Sequence, residues 1–243
     1  MTGTVAPLTE ALPLAERIHL ALVSLSDGAA VFTGCDCCGS PLQGHGHAHI
    51  LCECCPSPGQ GEHGEITHIT VYALSGFGPQ EQAALQGLGR VWGPDGPGVE
   101  LALQGLGRPE DFVGKSLLLA RSRSWVSRTP FLPTRHPKRT RAGVAKVDAT
   151  GLQIDSPEHE LRRLLGLGGF PEPIALEPVA GTRLGGREVA WESFSCRRSE
   201  GGGRRATGDG CGFRVLFPEA VHGPVAVGYG AHFGMGGFRA EMV

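Results

Sequence analysis

The sequence predicts an α+β fold built from two ferredoxin-like (βαββαβ) units side by side. Two observations predict it. The first hundred residues read α-β-β-α-β, and the rest of the chain repeats that rhythm loosely around one strong helix. The elements meet near residue 108, giving an N-terminal unit over 1–108 with a cysteine-rich insertion and a C-terminal unit over 109–243.

"LPLAERIHLALVSL" (12–25) carries apolar residues at helical spacing and predicts a helix. "HAHILCE" and "ITHITVYAL" predict strands, the second alternating Ile, Ile and Val with polar residues. "GPQEQAALQGLG" predicts a short helix stopped by glycine, and "GVELALQG" a strand. The opening strand of a βαββαβ unit is short or missing, with the first ten residues supplying a stub of it. In the second half "KSLLLARSRSWVS" predicts a strand, and "SPEHELRRLLGLGG" a helix with Ser156 as N-cap, a capping-box acid after it and glycine at its end. "PIALEPV", "EVAWESFSC", "GFRVLFP" and "GPVAVGY" predict strands, and "RSEGGGRRATGDG" a mobile loop.

Glycine (39) and proline (18) are abundant in the 243 residues, yet no G-X-Y period or single-residue tract points to a fibre. No apolar run approaches about 18 residues, so no membrane span is expected. The N-terminus lacks a basic region followed by an apolar one, so no secretory signal is read and a cytoplasmic protein is expected. Net charge is −2, but its distribution is uneven. Between Phe112 and Val147 stand nine Lys or Arg residues and no acid. Such segregation is either a solvated face or a track for phosphates.

Six of the eight cysteines fall in "CDCC" (35–38) and "CECC" (52–55). Cys35, Cys38, Cys52 and Cys55 form a C-x2-C…C-x2-C pattern with thirteen residues between the pairs, a spacing slightly short for zinc. Four thiolates suit a closed, structural zinc site; Cys37 and Cys54 offer alternative ligands. "GHGHAHI" sets His45, His47 and His49 on one face of a strand. They could bind metal, help the cysteines, transfer protons, or do nothing. His68 lies on the next predicted strand and could pair across. His19, in the first helix, reads as an ordinary helical residue. His136 sits between Arg135 and Lys138 in a proline-stiffened loop suited to a phosphate or to mere linkage.

The closing "GPVAVGYGAHFGMGGF" (223–238) brings bare backbone that could cradle an anion, while Tyr229 and Phe233 either stack on bases or pack inside. No Lys-Ser or Lys-Thr follows it, so a mononucleotide loop is not favoured. In order along the chain, "VFTG", "LQGHGHAHIL", "ITHITVYALSGF", "SWVSRTPFLPTRHPK", "GFRVLF" and this closing block resemble the C-terminal half of the type I-G (formerly I-U) CRISPR-associated protein that fuses the fifth and sixth Cas proteins. The half resembled is the sixth, the repeat-processing endoribonuclease. The similarity runs from about residue 8 to 238.

That resemblance implies a RAMP-type protein of two ferredoxin-like units. It implies metal-independent cleavage of CRISPR precursor RNA at the repeat, with the mature crRNA retained in a surveillance complex beside backbone and fifth-Cas subunits. It maps RNA contacts onto Gly228, Gly230, His232, Gly234 and Gly236, and onto Arg135, Lys138 and Arg139. The "GHxHA" histidines map onto His45 and His47, with His136 in the "RHPK" block; these three are the expected catalytic residues. The fifth-Cas half is absent from these residues, so on this resemblance either a stand-alone processing subunit or a separately encoded part is expected. The cysteine clusters are foreign to the family, so zinc would hold a turn and take no part in catalysis. Rival expectations are a non-catalytic RNA-binding subunit and a zinc-dependent nuclease.

Overall fold

A computed structural model describes residues 6–42, 46–54, 64–93, 96–196 and 209–241. The fold is α+β with antiparallel sheets. No helix among the described residues is long and apolar enough to cross a membrane.

The first half opens with the predicted stub. Leu8 N donates to Gly64 O and Ile66 N to Ala6 O, pairing residues 6–8 with 64–66. Helix α1 (Ala11–Leu25) follows, burying Leu12, Leu14, Ala15, Ile18 and Leu22 on one stripe. A single helical turn, α2 (Ala30–Thr33), ends at left-handed Gly34. Strands β1 (His49–Glu53) and β2 (His68–Tyr72) form an antiparallel pair. Helix α3 (Pro79–Gly87) begins with proline at its first position, where the missing N–H costs nothing. It leads into β3 (Arg90–Gly93) and β4 (Gly96–Glu100), a two-stranded ribbon. The ribbon shortens the strand expected over 98–105 and adds a partner, β3, that the sequence did not suggest.

The second half is organised by a five-stranded sheet in the order β10-β11-β5-β9-β6. Its central strands are β5 (Arg121–Ser127) and β9 (Gly212–His222). Beyond them lie β6 (Ala175–Val179) on one side and β11 (Gly237–Ala240) with β10 (Val225–Ala226) on the other. Every neighbour pair is antiparallel. Helix α4 (Pro157–Leu167) connects β5 to β6 and packs Leu161 and Leu165 into the sheet's core. Ser156 caps it by accepting from His159 N; because the third residue on is His159, the expected capping-box acid is absent. A hairpin, β7 (Gly181–Leu184) with β8 (Arg187–Ala190), interrupts the path to β9. The strand expected over 188–196 stops at Ala190, because Trp191 turns inward and donates its indole N–H to Val179 O at 2.7 Å. The strand expected over 223–229 is reduced to β10, since Gly228 is left-handed. Most of the loop expected over 198–210 lies outside the described residues.

Two apolar clusters hold these elements. The second contains Trp125, Phe131, Leu161, Phe213, Phe217 and Phe238, all from beyond residue 108. The first surrounds α1 and takes in Phe32, Ile50, Leu85 and Val91, but also Leu132, Trp191, Phe194, Phe233 and Met235 from the second half. Packing therefore crosses the boundary that the order of elements suggests.

Candidate functional site

Four of the described histidines converge from three distant segments. His19 comes from α1, His47 and His49 from the edge and start of β1, and His232 from a 3-10 turn (Ala231–Phe233) in the glycine-rich segment. Alternation sets His47 and His49 on one face, and His232 lies against both. Its ring centroid is 4.3 Å from that of His47, nearly parallel at 22°, and 4.3 Å from that of His49 at 40°. His19 meets His47 edge-on at 5.8 Å. Phe233 closes the base of the group, edge-on to His19 at 5.2 Å and to His47 at 6.3 Å. All four imidazoles are half-buried.

Main-chain carbonyls set the tautomers, since a carbonyl only accepts. His19 Nε2 and His47 Nε2 both donate to Phe32 O, at 2.8 and 2.9 Å. That oxygen lies in the last turn of α2, where helical carbonyls have no intrahelical partner. His49 Nδ1 donates to Ala231 O at 3.2 Å and His232 Nδ1 to Ala48 O at 3.3 Å, a reciprocal pair that ties the two segments together. In the neutral rings the lone pair is then on Nε2 of His49 and His232, and on Nδ1 of His19 and His47. The His47 Nδ1 edge lies against Gly34: a Cβ there would come within 2.9 Å of Nδ1. Stacked rings also couple their charges. Two unit charges 4.3 Å apart repel by about 4 kcal/mol at an effective dielectric of about 20, so protonating one ring opposes protonation of the next.

The glycine-rich segment is what delivers His232. Gly230 (φ 71°) and Gly234 (φ 80°) are left-handed and bracket the 3-10 turn. Gly234 runs so close to β1 that a Cβ would lie 3.1 Å from Ile50 O, and at Gly236 a Cβ would overlap Val227 O. Thr129 staples the segment, donating to Gly234 O at 2.7 Å and accepting from Gly237 N at 3.0 Å. Tyr229 N donates to Leu132 O and Gly236 N to Pro130 O, so the segment lies along residues 130–132. Gly234 and Gly236 are buried against the chain itself; Gly228 and Gly230 are half-buried.

The structure distributes the other expected residues as follows. Arg135, His136, Lys138 and Arg139 are exposed. Arg135 and Lys138 reach the buried carboxyl of Asp155, at 3.4 and 3.3 Å. Burial pushes that carboxyl up, but hydrogen bonds from Lys138 and Arg135 and their charges bring it below the ordinary value. The acid-free stretch is thus partly neutralised by an acid that follows it in sequence. His136 makes no ring contact with the histidine group. Across the β1–β2 pair His68 stands opposite Glu53 and His49 opposite Tyr72, so His68 is not a partner of His49.

Of the expected zinc ligands, Cys35 is half-buried and Cys38 exposed in the loop closed by Asp36, whose Oδ1 accepts from Cys38 N and Ser40 N. Cys52 is buried in the first core with Sγ directed at Ala11 O, and its thiol is pushed up to about 12 by burial first and by Cys54 and Glu53 beyond that. Cys55 and His45 lie outside the described residues. Among those described, no three His, Cys, Asp or Glu side chains are arranged to hold a metal ion.

Sequence reasoning missed His19 as a member of the group and reached His232 only as an RNA contact. Nothing local marks either; only the packing of the glycine-rich segment on α1 and β1 unites them. No family model, curated protein or solved structure matches the chain.

Proposed function

We propose that the protein is a metal-independent endoribonuclease that processes CRISPR precursor RNA at the repeat and keeps the product bound beside other Cas subunits. The observation that carries the reading is the convergence of His19, His47, His49 and His232 with their tautomers fixed by main-chain carbonyls. Cleavage of RNA without metal needs two proton transfers. A base takes the 2′-OH proton, the oxygen bonds to the adjacent phosphorus, and the bond from phosphorus to the 5′-oxygen breaks as an acid protonates the leaving oxygen. The products are a 2′,3′-cyclic phosphate and a 5′-OH. His49 and His232 are suited to the two transfers through Nε2, one neutral and one protonated, a division that charge coupling in the stack favours. His47 packs beneath His232 and positions it. His45, two residues before His47, enters the same test. Arg135, Lys138 and Arg139 supply positive charge for the RNA backbone.

The strand order adds support for the RAMP-type reading. In β11-β5-β9-β6 the helix α4 joins the first and second strands in sequence, as in one ferredoxin-like unit, and the glycine-rich segment occupies the place of the unit's second helix.

Alanine substitutions at His45, His47, His49, His68, His136 and His232, assayed on labelled repeat RNA in EDTA with analysis of the 3′ end, test the reading. Loss of about 10²–10⁴-fold is expected for His49→Ala and His232→Ala, with His68→Ala close to wild type. Full cleavage by every variant overturns it. Activity lost to a chelator and restored by zinc points to a zinc nuclease instead. The rival reading, a non-catalytic RNA-binding subunit, draws on the hydrogen bonds that tie all four imidazoles to main chain; tight binding with unchanged RNA ends favours it.

A further inference from the structure

The chain has three tryptophans. Trp125 and Trp191 are 0% and 4% exposed, whereas Trp92 on β3 is 66% exposed. Large aromatic side chains gain most by burial, so an indole left in water is the unusual case. Trp92 is not loose. Arg90, two residues earlier and therefore on the same strand face, lies over the indole with its guanidinium carbon 3.7 Å from the ring centroid. Across the ribbon Gly98 of β4 presents no side chain. A Cβ there would come within 3.0 Å of Arg90 Nη2 and 3.2 Å of Trp92 Cε3, so the stacked pair lies over bare strand.

The ribbon is also anchored. Val91, on its other face, is buried in the first core. At Gly93 a Cβ would overlap the stem of Arg17, which reaches over from α1. The exposed face therefore presents a flat aromatic ring held by a guanidinium, while Arg17 lies against the Val91 face at the strand's end. Among the described residues, the charged Glu100 stands directly opposite Arg90. A protein partner would want a broader apolar surface. A single unpaired base with its phosphate matches a ring of this size beside positive charge.

We propose that the β3–β4 ribbon is a stacking platform for an unpaired RNA base. Trp92 carries the base, and Arg90 orients the indole and attracts the adjoining phosphate. The choice of RNA as ligand rests on the function proposed above. Residues 17 and 19 of α1 are about 200° apart around the helix axis, so the ribbon, which meets α1 at Arg17, and the histidine group occupy different sides of α1. The base held is accordingly one that flanks the cleaved linkage.

A 2′-O-methyl oligoadenylate, which has no 2′-OH to attack, is titrated into wild type, Trp92→Ala and Trp92→Phe while tryptophan emission and affinity are followed. Stacking quenches the wild-type emission. Trp92→Phe is optically silent but binds within a few-fold, and Trp92→Ala binds about 10- to 100-fold more weakly. Equal affinity of wild type and Trp92→Ala with unchanged emission overturns the platform, and leaves the nuclease reading standing if repeat RNA is still cleaved. Wild type that neither binds the oligomer nor cleaves repeat RNA overturns both. A change of oligomeric state in Trp92→Ala, with oligomer affinity intact, overturns the platform in favour of a protein contact.

Discussion

Gly34 is the residue on which the geometry of His47 turns. Its φ of 73° is left-handed, and the imidazole occupies the volume a Cβ would take. Gly34→Ala therefore meets two penalties, strain of roughly 1 kcal/mol for the left-handed backbone and displacement of the ring. A lower melting temperature and a loss of RNA cleavage larger than the stability change explains are expected, measured by thermal denaturation and by single-turnover cleavage below the transition. Unchanged cleavage would separate His47 from the reactive group. At this scale the sequence was legible in part. The alternation of His47 and His49 could be read directly, as could the value of Ser156 as a cap. His19 could not, because its importance is created by His47 and by the His232–Phe233 segment, far along the chain, and not by its helical neighbours. Of the four-cysteine pattern, Cys52 lies in the first core, as burial of a small, weakly polar thiol allows, and Cys55 lies outside the described residues.

Among the elements, α4 shows best what pattern can and cannot reveal. Its apolar stripe and its start were both readable, and the cap is made by the predicted residue. Ser156→Ala removes the acceptor for His159 N and should cost about 1 kcal/mol, seen as a lower denaturation midpoint without loss of helix content in the native state. Ser156→Asp should restore most of it. The β7–β8 hairpin also carries a local signal: "LGGR" places Gly185 and Gly186, both at positive φ, in a two-residue turn. The β3 strand had no such signal. "RVWG" is too short for periodicity to speak, and its pairing depends on β4 and on Val91 reaching the first core.

For the whole molecule the most consequential polar group is Glu53. It stands on β1, buried, and accepts from Ser116 Oγ at 2.8 Å and Thr70 Oγ1 at 3.1 Å, with a further hydrogen bond from the main chain at Leu118. It thereby links the first half to the segment leading into β5. Burial raises its pKa above the ordinary carboxyl value of 4.5, and these hydrogen bonds and the charge of Arg128 offset only part of that rise. Between the ordinary value and the raised folded one, the folded protein consequently holds a proton that the unfolded chain has released. Glu53's contribution to stability is full below about pH 4.5 and declines as pH rises through the folded value. Glu53→Gln should abolish that decline. Denaturation midpoints of both proteins from about pH 4 to about pH 8 check it, and a wild-type minus variant difference that does not fall across this range would contradict it. Asp155 and Glu160, held below their ordinary values, act with the opposite sign and cancel in the difference.

The carbonyl of Phe32 serves two imidazoles at once. Mutational scanning is blind to it, since every amino acid brings the same oxygen to that position. Only backbone chemistry can reach it: an ester in place of the amide between Phe32 and Thr33 would weaken the acceptor and unsettle both rings together, with no side chain altered.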